Sequence, residues 1–327
     1  MTFVLRRIGF FALTLWTCIT LNFMLPRLMP GNPALAMMAK FHGRLNGQAL
    51  HALEIAYGVN THQSLVSEYF QYLDNLAHGK LGTSLAFFPQ PVSTVVLHAI
   101  PWTLGLLGVT TVLAFVLGTL IGILGAWRRG GWLDSILPPV FVITSAIPYF
   151  WIGLVLIIIF GLKLGWLPYA FSYDPTLIPG FNWVFISNVL RHALLPAVSI
   201  LITFIGGWIL TMRNTMITTL SEDYIRMARA KGLPGNKIML DYAARNAILP
   251  NISGFAMSLG FVVSGAVLVE YVFNYQGVGY LLIQALDGED YPLMQALFLV
   301  ITLAVLFAIL LADVATVLLD PRTRATR

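Results

Sequence analysis

Few side chains in this sequence have the types and spacing that chemistry at a protein site requires. A zinc site needs several ligands close together, often two histidines at i, i+4 on a helix with a carboxylate beside them. The histidines of the chain are His42, His51, His62, His78, His98 and His192. No two of them have that spacing, so the sequence predicts no metal site.

Motifs for catalysis and nucleotide binding are also missing from the sequence. It contains no G-x-S-x-G nucleophile elbow and no glycine-rich phosphate loop. Ser264 is a small residue of the kind that allows close helix packing. The single cysteine, Cys18, cannot form a disulfide within the chain, and its apolar surroundings predict a small buried hydrophobe. We therefore expect no catalytic site and no cofactor in this chain.

Two ionisable side chains, Asp313 and Glu270, fall inside apolar segments. A charge is costly there, so both are candidate functional positions. Structural roles are the alternatives: Asp313 could bond a neighbouring helix end or pair with an arginine, and Glu270 could reach the membrane interface. A proton relay needs a chain of such groups through the membrane, which two separate carboxylates do not provide. The pattern disfavours a proton-coupled secondary transporter.

The elements around these residues are long apolar segments. Of the 327 residues, 58% are hydrophobic and 10% are charged, whereas about 25% are charged in an average soluble domain. A membrane-spanning helix needs roughly 20 apolar residues. Six segments qualify: residues 8–28, 102–127, 136–162, 194–212, 252–272 and 293–319. The sequence therefore predicts an all-α integral membrane protein with six transmembrane helices.

Basic residues predict the orientation of these helices, because Lys and Arg are enriched on the cytoplasmic side. With a cytoplasmic N-terminus, 13 of the 19 basic residues fall on the inner side and 6 on the outer side. They are scattered at helix ends rather than gathered in a stripe, so the net charge of +5 indicates a membrane surface and not nucleic acid. Both termini are expected in the cytoplasm.

The segments between the spans divide the chain into three predicted parts. Residues 1–29 hold the cytoplasmic N-terminus and the first transmembrane helix. Residues 30–100 form an extracytoplasmic insertion with helical patterns at 48–57 and 65–77. Residues 101–327 form a core of five transmembrane helices with a cytoplasmic loop at 214–250. Small residues in the second span, expected to permit close helix packing, are Gly105, Gly108, Gly118, Gly122 and Gly125.

The cytoplasmic loop contains a predicted helix with clear start and stop signals, from Ser221 to Lys231. Ser221 suits the N-cap, Gly232 can adopt the left-handed conformation that closes a helix, and Pro234 prevents continuation. The charges that complement the helix dipole are Glu222 and Asp223 in the first turn and Arg229 and Lys231 in the last. A second helix is predicted at 237–247.

The first of these helices has a narrow apolar face. Tyr224, Met227 and Ala228 have the i, i+3, i+4 spacing on an otherwise charged helix. Such a helix can dock into a groove on a cytoplasmic partner. The alternative is that the same face packs back on the ends of the protein's own helices.

Short motifs in this loop and beyond it resemble those of a known family. Residues 223–233 read DYIRMARAKGL and residues 245–250 read RNAILP. The other landmarks are LRR at 5–7, MPGNP at 29–33, GKLGTS at 79–84, DYP at 290–292 and DPR at 320–322. In this order they resemble the membrane-spanning permeases of binding-protein-dependent ABC importers, in particular the dipeptide, oligopeptide and nickel class.

Two positions depart from the family pattern. Residues 226–228 read RMA where the broad importer pattern has Glu-Ala-Ala before the glycine. Asn32 stands where many relatives carry Asp, which puts a charge-dependent role for that position in doubt.

The resemblance implies the type I ABC importer permease fold and a location in the bacterial inner membrane. A second, related permease would complete the translocation pathway. Two ATPase subunits would bind from the cytoplasm and hold ATP and Mg²⁺, and an extracytoplasmic binding protein would deliver the solute. The residues implied in coupling to the ATPases are Glu222, Asp223, Tyr224, Ala228, Arg229, Ala230, Lys231 and Gly232.

Di- or oligopeptides are the solutes that the resemblance implies, with nickel, glutathione and oligosaccharides as alternatives in the same class. Outside the class, the alternatives are a secondary transporter or channel, and a sensor or assembly protein without transport. Broken helices at matching positions of inverted halves would favour a secondary transporter, but only the third predicted span is rich in proline. Binding of an ATPase domain would separate the importer from both alternatives.

Overall fold

Helices form nearly all of the regular structure. The computed structural model describes residues 2–28, 64–262 and 267–319. In these residues one β-bridge, between Thr83 and Pro91, accompanies the helices, so the predicted all-α class is confirmed. The helices α1 to α12 are, in chain order, Thr2–Leu28, Leu65–Ala77, Val92–Trp127, Trp132–Ala146, Tyr149–Lys163, Trp183–Leu220, Asp223–Ala230, 235–247, Leu249–Phe261, Val267–Val272, Val278–Asp287 and Tyr291–Leu319.

Among the described residues, three helices are long and apolar enough to cross a membrane. They are α3, α6 and the Tyr291–Leu310 part of α12. Helices α4 and α5 satisfy the same criteria together, as a span broken by a sharp bend. In α1 the apolar part, Gly9–Leu25, is shorter. The structure therefore has three or four candidate spans, and the count of six stays a prediction.

The bend between α4 and α5 lies at a proline. Ile147 has an extended backbone (φ −88°, ψ 125°), because the ring of Pro148 disfavours helical backbone in the residue before it. Pro138 and Pro139 lie inside α4. The third predicted span, 136–162, is therefore two helices rather than one.

Other predicted bounds differ at the helix ends. Helix α3 begins at Val92, before the predicted 102–127, and α6 extends beyond the predicted 194–212 at both ends. The predicted bounds follow runs of apolar residues and therefore end near polar or charged ones, whereas a helix can continue beyond the bilayer into water. The predicted helix at 65–77 is confirmed as α2. The predicted helix at 48–57 lies outside the described residues.

The first of two compact units comprises residues 1–103, 263–267 and 276–306. In its apolar core the first turns of α3 pack against α11 and the start of α12. Val92, Val278 and Leu293 are fully buried there. Helix α2 packs in this unit against the second half of α1, where Tyr69 and Tyr72 contact the ring of Phe23.

The second unit is organised around a close approach of α3 and α6. A Cβ atom added at Gly122 would lie 2.7 Å from the Ile209 carbonyl oxygen, and one added at Gly118 would lie 2.6 Å from the Trp208 Cβ. These two glycines therefore have the predicted packing role, with the four-residue spacing typical of membrane helix pairs. An added Cβ would meet no atom within 4 Å at Gly105, Gly108 or Gly125. Packing among the described residues does not explain those three.

Candidate functional site

Helix α7 is the helix predicted to bind a partner. Two residues, Ser221 and Glu222, separate it from the end of α6. Glu222 is its N-cap, with extended backbone (φ −68°, ψ 148°) and no side-chain capping bond. Ser221 instead closes α6, where its hydroxyl donates to the Thr218 carbonyl oxygen at 2.6 Å. The predicted N-cap role of Ser221 is wrong, because α6 stays helical to Leu220 and uses the serine at its own end.

The end of α7 forms a complete Schellman motif around Gly232. This glycine has φ +72°, which a residue without Cβ adopts readily. Its N–H donates to the Arg229 carbonyl at 2.9 Å, and the Leu233 N–H donates to the Ala228 carbonyl at 3.3 Å. Leu233 also packs against the apolar cluster that includes Ala228, as is usual for this motif. The predicted helix stop at Gly232 is confirmed.

One face of α7 is anchored to the rest of the second unit. Ile225 and Ala228 are 0% and 3% exposed, in a cluster with Met216 of α6 and with Ala243 and Ala247 of α8. An eight-residue helix is unstable by itself. Burial of one isoleucine contributes about 1.5–3 kcal/mol, so this buried face fixes α7 on α6 and α8.

The other face of α7 is accessible. Tyr224 and Met227 are 38% and 57% exposed, whereas Ala228 points inward. The predicted stripe of Tyr224, Met227 and Ala228 is therefore divided between two faces. Ile225 was not among the residues predicted for the apolar face of this helix. Its i, i+3 spacing with Ala228 is the sequence feature that indicates a shared face.

Charged side chains surround the two exposed apolar residues. The exposed charged residues are Glu222, Asp223, Arg226, Arg229 and Lys231, and Ala230 is exposed as well. Arg226 Nη1 lies 3.3 Å from Asp223 Oδ1, and an exposed pair of this kind contributes only about 0.2–1 kcal/mol. These charges are thus available to a partner rather than committed to the stability of α7.

Asn246 links α7 to α8. Its side-chain amide donates to the Tyr224 hydroxyl at 3.2 Å and to the Tyr242 carbonyl oxygen at 2.9 Å. Tyr224 and Asn246 belong to the two motifs, 223–233 and 245–250, that were noted separately in the sequence. The structure brings these motifs together, and it assigns Asn246 a positioning contact that the sequence analysis did not propose.

A buried asparagine connects the start of α9, which follows α7 and α8 in the chain, to the long helices α3 and α6. Asn251, near the start of α9, is fully buried. Its amide nitrogen lies 3.3 Å from Thr119 Oγ1 in α3 and 3.4 Å from the Trp208 carbonyl oxygen in α6. A buried amide left without partners would cost about 1–3 kcal/mol. These bonds therefore hold the start of α9 against α3 and α6.

Of the two ionisable side chains predicted within membrane spans, Glu270 and Asp313, the structure describes only the first. Glu270, in α10, is fully buried, as are Val269, Phe273 and Tyr275 around it. The Tyr275 N–H donates to the Glu270 backbone carbonyl oxygen at 2.7 Å. The structural alternative in which Glu270 reaches the interface is not supported, because its side chain is enclosed by protein. The side chain of Asp313 lies outside the described residues, and a functional role for either carboxylate stays a prediction.

No metal centre is found in the part of the chain that the structure describes: no three His, Cys, Asp or Glu side chains lie together as ligands would. His78 and His192 instead approach backbone carbonyls in the preceding helical turn, at 2.8 and 2.9 Å. Cys18 is a free thiol, partly buried. His42, His51 and His62 lie outside the described residues.

Two further motifs, GKLGTS at 79–84 and DYP at 290–292, meet in the first unit. The buried Asp290 accepts hydrogen bonds from the Ser84 hydroxyl, from the Ala86 N–H at 2.9 Å and from the Leu293 N–H at 3.1 Å. One carboxylate therefore caps α12 and holds the loop before α3. Both motifs belong to the family pattern, but no contact between them was predicted. Their joint presence in that pattern was the only sequence feature that connects them.

A family model described as the binding-protein-dependent transport system inner membrane component matches residues 118–325. The chain belongs to this family. It is therefore a multi-pass permease of the inner membrane and part of a binding-protein-dependent ABC transport complex. As a transport component it has no catalytic function and no cofactor of its own.

Curated relatives match the permease over nearly its whole length. It is 33% identical to the di/tripeptide transport system permease protein DppB of Pseudomonas aeruginosa (strain UCBPP-PA14), over 100% of both chains. It is 32% identical to the oligopeptide transport system permease protein AppB of Bacillus subtilis (strain 168), over 92% of both. A probable D,D-dipeptide transport system permease protein of Escherichia coli (strain K12), DdpB, is also 32% identical, over 92% of this chain and 91% of the relative. The resemblance noted in the sequence is confirmed.

Proposed function

We propose that this permease forms half of the translocation pathway of an ATP-driven importer, and that its solutes are di- or oligopeptides. The family supports an importer supplied by a binding protein. The peptide assignment is supported by the names of three relatives, which are called di/tripeptide, oligopeptide and D,D-dipeptide permeases. A second, related permease completes the pathway, and an extracytoplasmic binding protein delivers the peptide.

Helix α7 carries the mechanistic part of the proposal. It has an anchored face at Ile225 and Ala228 and an accessible face at Tyr224 and Met227. A helix that presents two apolar side chains within a charged surround fits a hydrophobic groove on a partner. We assign that groove to an ATPase subunit, one of two that bind the complex and hydrolyse ATP with Mg²⁺. The segment 214–250 is then the coupling loop.

The arrangement in the membrane follows from the same proposal. Six spans place both termini and the coupling loop in the cytoplasm of a bacterium, and they place residues 30–100 outside, facing the binding protein. The helix pair α4 and α5 forms one of these spans, and α9 with α10 forms another. Glu270 and Asp313 are the ionisable side chains within the predicted membrane spans of the permease core, residues 101–327.

The test is transport by the assembled complex. The permease would be purified with its partner permease and ATPases through an affinity tag on this chain, and reconstituted in liposomes. Uptake of labelled di-, tri- and pentapeptides would be measured with the binding protein, in the presence of ATP or of a non-hydrolysable analogue. We expect uptake with ATP only, and no ATP hydrolysis by this chain alone.

Each alternative has a distinct outcome in that assay. Uptake driven by a proton gradient without ATP would indicate a secondary transporter and refute the importer. Uptake of nickel, glutathione or an oligosaccharide in place of peptides would leave the importer standing and refute the solute. Failure of the ATPases to purify with the chain would remove the role assigned to α7.

A further inference from the structure

Helix α2 is attached to the second half of α1 by three polar contacts. They join Thr20 Oγ1 to Tyr69 Oη at 2.7 Å, Asn22 Nδ2 to Tyr72 Oη at 3.4 Å, and Arg27 Nη2 to Glu68 Oε2 at 3.0 Å. Phe23, on the same stretch of α1, is buried against Tyr69 and Tyr72. The position of α2 is therefore defined relative to residues 20–27 of α1.

Residues 20–27 belong to the predicted first span, 8–28, at its outer end. The seven helical steps from residue 20 to residue 27 cover about 10 Å along the helix axis. That length matches the depth of about 5–10 Å to which interfacial helices enter the boundary between headgroups and acyl chains. If α1 spans the membrane as far as residue 28, this contact places α2 beside α1 at the level of that boundary.

The part of α2 that does not contact α1 has an apolar flank and a polar flank. One flank is apolar, with side chains at successive spacings of four, three and four residues: Val66, Phe70, Leu73 and Ala77. Val66 and Phe70 are 65% and 64% exposed. The opposite flank is polar: Ser67, Gln71, Asp74 and Asn75. This division is typical of a helix that lies in the plane of a membrane surface.

The neighbouring surface of α1 is also apolar at this level. The exposed large apolar side chains on residues 20–28 are Leu21, Met24, Leu25 and Leu28. Glu68 is neutralised by Arg27, whose guanidinium carbon lies 3.6 Å from the centre of the Phe23 ring. Tyrosine and arginine are common anchors at the membrane interface. If α1 spans the membrane, these exposed apolar side chains of α1 face lipid at the level where α2 packs.

We propose that α2 is an interfacial helix, with its Val66–Phe70 flank immersed in the outer leaflet of the bilayer. Lipid is the occupant because α2 packs on residues 20–27, at the outer end of the predicted first span, and both helices expose apolar side chains there. The proposal rests on α1 crossing the membrane and does not depend on transport or on the solute. It separates α2 from the rest of the 30–100 insertion, which is assigned to the binding protein.

The experiment uses a polarity-sensitive fluorophore on single cysteines of the full complex. In a Cys18→Ser background, Phe70→Cys and Val66→Cys carry the label on the apolar flank. Gln71→Cys is the matched control on the polar flank, and Leu25→Cys is the control for α1. The complex is reconstituted in phosphatidylcholine–phosphatidylglycerol vesicles with or without brominated lipid, and quenching by aqueous iodide is measured in parallel.

We expect brominated lipid to quench the label at positions 70 and 66 several-fold more than at position 71, with iodide showing the reverse order. Equal quenching at 70 and 71 would overturn the proposal. Protection of position 70 from both quenchers would also overturn it, because protein rather than lipid would then cover the flank. If Leu25→Cys is quenched by lipid and position 70 is not, α1 spans the membrane and the interfacial placement of α2 alone fails. If Leu25→Cys is not quenched by lipid, the first span itself is refuted.

Discussion

Replacing Gly232 with valine tests whether the end of α7 sets the direction of the coupling helix. An added Cβ would meet no atom within 4 Å, so the cost comes from the backbone and not from a clash. Holding a β-branched residue at φ +72° costs about 1–3 kcal/mol. Leaving that conformation would break the Gly232 and Leu233 hydrogen bonds, each worth about 0.5–1.5 kcal/mol.

Either response costs about 1–3 kcal/mol: the first strains the turn, and the second displaces α7. If the whole cost falls on docking to an ATPase subunit, coupled activity drops between about five-fold and roughly a hundred-fold. The long helices do not depend on this turn, so membrane insertion and abundance should stay at the wild-type level. The matched control is Gly232→Asn, because asparagine tolerates the left-handed region, and we expect it to retain most activity.

The assay compares three quantities for the wild type and both variants. These are abundance in the membrane, ATP hydrolysis stimulated by the loaded binding protein, and peptide uptake. The expected valine variant is inserted normally, with hydrolysis and uptake reduced together. Wild-type uptake by Gly232→Val would show that the turn is an ordinary loop and would refute the assignment of α7.

Three further predictions address the same molecule. Tyr224→Ala should weaken ATPase binding in co-purification by roughly ten-fold, since exposed aromatic residues are common interface anchors; a Tyr224→Phe control loses only the Asn246 bond and should bind nearly normally. Asp290→Ala should lower the free energy of unfolding by about 3 kcal/mol or more, because three hydrogen-bond donors lose their acceptor; an unchanged melting temperature in detergent would show that the site is not structural. In a Cys18→Ser background, an impermeant thiol reagent should label a cysteine at position 65 in intact cells and not one at position 235, and the reverse pattern would overturn the orientation.

Local signals predicted the bounds of α2 and the stop of α7 because each depends on a few adjacent residues. The apolar pattern of residues 65–77 needs no knowledge of distant neighbours. Gly232 is followed by Pro234, and this pair marks a helix end in almost any context. Ser221 shows the limit of such signals, because the same residue type starts one helix or ends another depending on how far the previous helix runs.

The contacts that assemble the site could not be predicted in the same way. Asp290 and Ser84 are separated by 206 residues, and nothing in either motif specifies the other. The inward face of α7 likewise packs against Met212 and Met216 of α6. The spacing of Ile225 and Ala228 marks a possible apolar face, and only the position of α6 shows that this face is the buried one. Where many apolar residues lie side by side, the pattern identifies a helix but not the face that packs.

The close approach of α3 and α6 has a mechanical consequence. At Gly118 and Gly122 the two backbones leave no room for a Cβ atom, so neither helix can slide or bend there without the other. The 38 residues of α6 form a helix about 57 Å long with Pro196 inside it, and its close approach to α3 lies at residues 205–213, on the side of Pro196 toward α7. Helix α7 is mounted on the end of α6 through Met212 and Met216. If α7 receives the motion of an ATPase subunit, as proposed, the close approach requires the C-terminal half of α6 and the facing part of α3 to move together.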